Sequence, residues 1–351
     1  MFLFSEKKLK NPPYISVCIP VYNSEMYFEE CLNSVIRQDF CSFEIVIVND
    51  GSFGQDYYGR NCKSIVKAAE SFCNKYRKEN HLEPVFWNYI EHPMNLGLLE
   101  ARRTAVLNAL GKYILNVDSD DILAEGALRN FFIASNEGSF DIVQGKSKNI
   151  FINKVGKLCE AEQFLSNKFS DSEKKGHDIF NMYWLKRCSW TIWNKLIKRE
   201  LYTNALECIP KEYVNFSEDQ LALFFVSLFA GSYIGLDYCT YFYRINSGMT
   251  KKALINNIDI FKKQLSRMIF YNVVSQYMLE HYEYFSKKEI RNLDEVFKYE
   301  INPIIRSFML CTPNIRNLVK EIILNFVPEN KKTLTINMLF YAERFLSKHY
   351  I

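Results

Sequence analysis

No glycine follows the first apolar run of this chain: Ile15-Ser16-Val17-Cys18-Ile19 passes directly into Pro20-Val21-Tyr22-Asn23-Ser24-Glu25. That absence removes the G-x-G-x-x-G turn of a dinucleotide-binding Rossmann unit, and the G-x-x-x-x-G-K-[ST] cradle of a P-loop is missing as well. The 10 cysteines are scattered from Cys18 to Cys311 without a C-x-x-C pair, and the 5 histidines are dispersed. Neither a disulfide framework nor a His/Cys zinc site is expected, and buried reduced thiols fit the spacing. The longest apolar run, Leu221 to Ile234, is broken by Ser227, Gly231 and Ser232, so it does not span a bilayer. A net charge of +4, with no basic stripe interleaved with aromatics, argues against a nucleic-acid partner. Met1-Phe2-Leu3-Phe4 is too short for a signal-peptide core, so a cytoplasmic location is expected.

What is present suits a large core with an appended unit: 351 residues, 48% of them hydrophobic. Short apolar runs at 15–20, 43–48, 85–90 and 113–117 read as strands. Helical periods lie between them: Met26, Phe28, Cys31, Leu32, Val35 and Ile36; then Ile65, Val66, Ala69, Phe72, Cys73 and Tyr76; then Leu98, Ala101, Ala105 and Leu110. Alternation of this kind predicts an α/β fold, with a mostly parallel nucleotide-binding sheet flanked by helices.

Three of these strands finish in polar residues. The first runs into Pro20-Val21-Tyr22-Asn23, the second into Asn49-Asp50-Gly51-Ser52, and the fourth into Asp118-Ser119-Asp120-Asp121. Ligands of open α/β sheets bind beyond the carboxyl ends of the strands, so these segments are expected to converge. Carboxylates at such a point suit Mg²⁺ or Mn²⁺ held against substrate phosphates, while the plainer reading is an acidic loop capping the next helix. With no glycine cradle, phosphate charge must be met by metal and by basic side chains. Arg102 and Arg103, after the Asn95-Leu96-Gly97 turn, are placed for that, or form a solvated helix face.

A second acidic centre is Asn215-Phe216-Ser217-Glu218-Asp219-Gln220. Ser217 with Gln220 three residues on reads as a capping box, which puts Glu218 and Asp219 in a first helical turn, where acids also complement the helix dipole. Upstream, Asp141 to Gly145 reads as a strand, and the polar stretch from Glu160 to Asp178 as a loop over the site. From about residue 252 the composition turns helical. Ile315, Leu318, Val319, Ile322, Ile323 and Phe326 form an apolar stripe beside Arg316 and Lys320, which either packs on the protein or lies on a membrane surface.

These motifs together resemble the family 2, GT-A-fold nucleotide-sugar glycosyltransferases, of the bacterial non-processive kind that builds lipooligosaccharide or capsule chains. The resemblance covers residues 14–125 and 190–250 and rests on Ile15 to Asn23, Val48 to Ser52, Asn95-Leu96-Gly97 with Ala101-Arg102, and Gly111-Lys112-Tyr113 leading to Asp118-Ser119-Asp120-Asp121. It implies an N-terminal extension at 1–13, a GT-A catalytic domain at 14–250 (nucleotide-sugar half 14–125, acceptor half 126–250) and a helical C-terminal region at 251–351. Pro20, Tyr22 and Asn23 would line the base and ribose pocket, and Asp50 would accept from the uracil N3. Arg102 would reach the base or diphosphate, Asp118 the ribose or metal, and Asp120 would be the main ligand of Mn²⁺ or Mg²⁺. Asp121 would cap the following helix.

By the same resemblance Glu218 and Asp219 sit beneath the acceptor, with Asp219 as general base. Trp193, Asn194 and Lys195 match an acceptor-side W-N-K segment, although Trp193 reads equally as core. Tyr243-Arg244, with Ser247 and Thr250, matches a closing loop, where Arg244 meets the diphosphate or pairs with an acid. Gln264-Leu265-Ser266-Arg267-Met268 lacks the Trp of the Q-x-x-R-W motif found in processive synthases. The implied activity is transfer of a hexose or N-acetylhexosamine from a UDP-sugar to a glycan or glycolipid hydroxyl, at the inner face of the cytoplasmic membrane if the C-terminal helices touch lipid. A nucleotidyltransferase, which would need a glycine-rich, lysine-bearing start, and a non-catalytic sugar-nucleotide binding module, which would not need Glu218-Asp219, are the alternatives.

Overall fold

The computed structural model describes residues 12–153, 157–161, 170–185, 188–245 and 254–349. They divide into two compact units, one within Met1–Glu212 and Ala222–Thr250, the other within Tyr213–Leu221 and Lys251–Ile351.

The first unit opens with the alternation read from the sequence: β1 (Ile15–Val21), α1 (Glu25–Ile36), β2 (Phe43–Asn49), α2 (Cys62–Glu79), β3 (Phe86–Glu91), α3 (Leu98–Leu107) and β4 (Tyr113–Asn116). It continues through β5 (Ile122–Leu123), α4 (Ala127–Ala134), β6 (Ile142–Ile152), β7 (Leu158–Ala161), β8 (Lys174–Lys175), α5 (His177–Trp184), β9 (Lys195–Lys198) and α6 (Arg199–Glu207). Helix α7 (Glu218–Phe229), counted with the first unit from Ala222 on, and β10 (Ser232–Arg244) follow. One sheet runs in the order β3-β2-β1-β4-β9-β6-β10-β5, with β7 beside β6 and β8 beside β10. The part β3-β2-β1-β4 is wholly parallel, whereas β9 pairs antiparallel with both β4 and β6.

Register brings β1 and β2 to a common end, Val21 opposite Asn49, while β4 ends three residues earlier, opposite Cys18. Cys18 lies opposite both Val46 and Asn116, and the ladder is carried past the strands by Asp50 N to Val21 O (2.9 Å), Val117 N to Cys18 O (3.0 Å) and His92 N to Asn49 O (2.9 Å). Phe28, Leu32 and Val35 of α1 and Ile65 and Cys73 of α2 are buried with Val17, Ile19, Ile45 and Ile47 of the sheet in one core. Each such side chain stabilises by about 1.5–3 kcal/mol.

The apolar run at 221–234 is cut in two: α7 ends at Phe229 and a strand begins at Ser232. Strand β10 is hidden in the sequence because its first residues continue the apolar run begun in α7, yet its Tyr, Phe, Thr and Cys content is that of a strand.

The second unit contains α8 (Ile258–Glu280), α9 (Lys287–Met309), α10 (Pro313–Phe326) and α11 (Glu329–His349). Ser286 and Glu289 form a reciprocal capping box that starts α9. Helices α8 and α9 meet through rings such as Tyr271 and Phe297, 5.1 Å apart. On α10, Val319 and Ile323 are buried while Leu318 and Phe326 of the same stripe are exposed. Among the described residues no helix is long and apolar enough to cross a membrane.

Candidate active site

Asp50 leaves the end of β2 and is buried. Its Oδ1 accepts from Leu96 N (2.9 Å) and lies 2.7 Å from His92 Nδ1; its Oδ2 accepts from Gly97 N (3.0 Å) and Asn95 Nδ2 (3.1 Å). A carboxylate offers about four acceptor positions, and all are engaged by the 92–97 turn. His92 Nε2 lies 2.9 Å from Thr104 Oγ1, tying the turn to α3. Two glycines make this approach feasible. Gly51 (φ +66°) would bring a Cβ within 2.5 Å of the Met94 carbonyl carbon, and Gly97 (φ +97°) enters α3 in a conformation that L side chains avoid.

Beside this turn, Asn23 holds the loop after β2. Its Oδ1 accepts from Phe53 N and Gly54 N, each at 3.1 Å, while its own backbone N donates to Ser52 Oγ (2.7 Å). Tyr22 packs edge-on to Phe53, with ring centroids 6.1 Å apart, and Phe53 is 79% exposed. Pro20 is the buried penultimate residue of β1.

The acidic turn follows β4. Asp118 accepts from Arg102 Nη2 (2.8 Å), and its backbone N donates to the Tyr241 hydroxyl (3.0 Å). Asp121 does not cap a helix, because β5 and not a helix comes next. Its buried carboxylate accepts from the Tyr241 hydroxyl and from Arg244 N, both at 2.7 Å. Burial first, then the charges of Asp120 and Asp118, push its carboxyl well above the usual carboxylate range. Arg244 donates from Nε to the Asp120 carbonyl (2.8 Å) and from Nη2 to Glu30 (2.6 Å), and its guanidinium lies 4.9 Å from the centre of the Tyr27 ring. Asp118 and Asp120 remain partly exposed. Cys31 is buried beneath the turn, its thiol donating to the Asp118 carbonyl at 3.5 Å.

The two arginines of α3 separate in role. Arg102 reaches the acidic turn, while Arg103, also buried, donates to Glu100 and to the carbonyls of Leu206, Ile209 and Pro210.

Trp193 is buried and stacked on Tyr241 (centroids 4.6 Å apart, 15°) and Tyr243 (5.3 Å, 10°). It thereby backs the strand whose Tyr241 holds Asp121. Asn194, at φ +55°, exchanges two 3.0 Å hydrogen bonds with Gly145. Lys195 is fully buried, with its ammonium on the Thr191 carbonyl and 5.6 Å from the centre of the Tyr183 ring. Ser247 and Thr250, and residues 162–169 of the polar stretch, lie outside the described residues.

Glu218 and Asp219 begin α7, in the segment that belongs to the second unit. Ser217 makes no reciprocal cap with Gln220. Its hydroxyl donates to Glu300 Oε2 (2.6 Å), and the Gln220 amide reaches that hydroxyl at 3.5 Å.

Residues 16–210 match the family described as glycosyl transferase family 2. This chain belongs to that family. It is a glycosyltransferase with a GT-A-type fold. The family 2 chain is 28% identical over 274 residues to the uncharacterized glycosyltransferase EpsJ of Bacillus subtilis (strain 168), covering 74% of this chain and 70% of that one. A stretch of 139 residues is 36% identical to the poly(ribitol-phosphate) beta-glucosyltransferase of Bacillus spizizenii, covering 39% of this chain and 19% of the relative. Among solved structures, S. aureus TarS 1–349 in complex with UDP-GlcNAc shares the fold at a TM-score of 0.53 and 19% identity, over 95% of this chain and 92% of that one.

Within this glycosyltransferase, no three His, Cys, Asp or Glu side chains among the described residues form a ready-made metal cluster. One or two carboxylates completed by substrate phosphates is the usual way Mg²⁺ is held, and the partly exposed Asp118 and Asp120 fit that donor set. Several supporting residues escape a sequence reading: His92 and Thr104 behind Asp50, and Glu30 and Tyr241 around the acidic turn. Their partners lie up to 214 positions away along the chain, so no local motif marks them.

Proposed function

We propose that this glycosyltransferase moves a hexose or N-acetylhexosamine from a UDP-sugar to a hydroxyl of a surface glycan, of the lipooligosaccharide or capsule kind, with inversion. The observation that carries the reading is that the parallel strands β1, β2 and β4 end toward the same edge of the sheet, where Tyr22-Asn23, the Asp50-anchored turn and the Asp118–Asp121 turn follow them. Binding of UDP-GlcNAc by a protein of the same fold supports a UDP-linked donor.

Pro20, Tyr22 and Asn23 then form the base and ribose wall. Asp50 serves that wall by fixing the 92–97 turn, since a direct bond to the base requires one of its present donors to let go. Arg102 takes up charge developing on the leaving diphosphate and holds Asp118 in place. Asp120, with Asp118, would hold a divalent cation, Mn²⁺ or Mg²⁺, which supplies Lewis-acid stabilisation of the leaving group when bound. Trp193, Asn194 and Lys195 support the acceptor side from beneath, as their burial suits, and Arg244 clamps the acidic turn. Asp219, aided by Glu218, removes the acceptor hydroxyl proton as that oxygen attacks the anomeric carbon in line and UDP departs. An α-linked donor gives a β-linked product.

Asp219→Asn is expected to lower kcat by about 10²–10⁴-fold while UDP affinity stays unchanged. A variant that transfers sugar at the wild-type rate removes Asp219 from the mechanism. Inactivation by EDTA, reversed by Mn²⁺ or Mg²⁺, tests Asp118 and Asp120 independently.

Exposed Phe340, Tyr341 and Phe345 on α11 support contact with the inner face of the cytoplasmic membrane. Liposome flotation of the full chain should fall when Phe340 and Tyr341 are changed to Ser. Equal flotation would remove the membrane contact.

A further inference from the structure

Ser217, immediately before Glu218, has φ +63°, the left-handed region that favours glycine. Such a conformation is costly and persists only where the surroundings over-determine it. Those surroundings come from two helices of the same unit. Glu300 of α9, fully buried, accepts the Ser217 hydroxyl at 2.6 Å. Arg267 of α8 reaches both Ser217 Oγ (3.4 Å) and Glu300 Oε2 (3.5 Å), and its guanidinium lies 4.8 Å from the centre of the Phe216 ring. Ser266 Oγ accepts the backbone N–H groups of Asn215 (3.4 Å) and Phe216 (3.1 Å).

A buried ion pair is a poor way to gain stability, because well-packed apolar residues of the same volume often do as well or better. This one is spent on the backbone that leads into the Glu218–Asp219 pair. Burial pushes the Glu300 carboxyl up, against the pull of Ser217 and Arg267, so the site accepts an electrostatic penalty to keep that carboxylate there.

We infer that Glu300 is a positioning residue for transfer: with Arg267 and Ser266 it locks residues 215–217, and so fixes the first turn of α7 in the orientation from which Asp219 takes the acceptor proton. The inference rests on Asp219 being the base, and it gives the C-terminal helices a share in turnover as well as in packing.

The test uses the full chain with a panel of UDP-hexoses and UDP-N-acetylhexosamines, each with Mn²⁺ and a panel of glycan acceptors. It compares wild type with Asp219→Asn, Ser217→Ala, Glu300→Leu, Glu300→Gln and the Ser217→Ala/Glu300→Leu double variant. Glu300→Leu should lower kcat at least tenfold with the UDP Kd within twofold of wild type. Glu300→Gln, which keeps an oxygen facing Ser217, should recover most of that loss, and the double variant should be no slower than the worse single one. Amide hydrogen exchange across 213–221 should speed up at least tenfold in Glu300→Leu and stay unchanged in β1 to β4. A wild-type kcat in Glu300→Leu, or exchange at 213–221 equal to wild type, overturns the inference. If Glu300→Leu does not fold, Ser217→Ala decides in its place, a wild-type kcat there being equally fatal. Asp219→Asn transferring sugar at full rate instead removes the base assignment on which the inference stands.

Discussion

Asp50 is an acid that has no room for a proton donor of its own. An Asp50→Asn variant puts an NH2 in place of one oxygen, facing either the Leu96 N–H or the Gly97 and Asn95 donors that already point there. Urea unfolding should report a loss of about 1–3 kcal/mol, and calorimetry a weaker UDP complex. The arginine pair separates by the same logic. Arg103→Ala leaves three carbonyls of the 206–210 segment without their donor and should lower the urea midpoint, while the folded fraction keeps its kcat/KM. Arg102→Lys loses the directed bond to Asp118 and should lower kcat/KM at least tenfold at little cost to the midpoint. Glu44 gives a pH signature. Burial raises its carboxyl above 4.5, against hydrogen bonds from Ser16, Leu110 and Gly111, so the folded state holds the proton more tightly than the unfolded chain. Its contribution is therefore greatest at low pH and is lost as pH climbs from about 4.5 through the raised value. The stability difference between wild type and Glu44→Gln, followed by urea midpoints across that window, should move against wild type. A flat difference would contradict the assignment.

Strands and crossover helices of the parallel part of the sheet were legible because each carries its own period: the runs at 15–20, 43–48 and 113–117 each lie within one residue of β1, β2 and β4. What a local pattern does not carry is pairing. Strand β10 engages the acidic turn through Tyr241 and Arg244, some 120 positions beyond Asp121, so a reading along the chain assigned Asp121 to a helix cap. Ser217 misled in a similar way, since its capping partner on sequence grounds, Gln220, competes with Glu300 from a helix 83 residues on. Gly51 is the element-scale counterpart of Asp50. An added methyl group there meets backbone, which does not yield as a flexible side chain does. Gly51→Ala should cost about 1–3 kcal/mol by thermal unfolding, and should weaken UDP binding because the 92–97 turn is displaced with it.

At the level of the whole molecule, the α/β class followed from alternation alone, whereas the partition of residues 213–221 with the C-terminal helices depends on contacts with α8 and α9 that no local pattern announces. Two units of different make-up need not unfold in one step. UDP with Mn²⁺ at about 100 times its Kd should add roughly 2.7 kcal/mol to the transition of the sheet-bearing unit, seen in calorimetry as a shift of that transition. An unmoved melting profile would count against the proposed nucleotide site. The thiol of Cys31, sealed under the Asp118 carbonyl and held protonated by burial and by the acids above it, supplies a built-in clock. Alkylating reagents modify it only in the moments when that floor lifts, while surface Cys41 and Cys208 react at once. Site-resolved mass spectrometry of the alkylation rate would time the breathing of the acidic turn without any label being engineered.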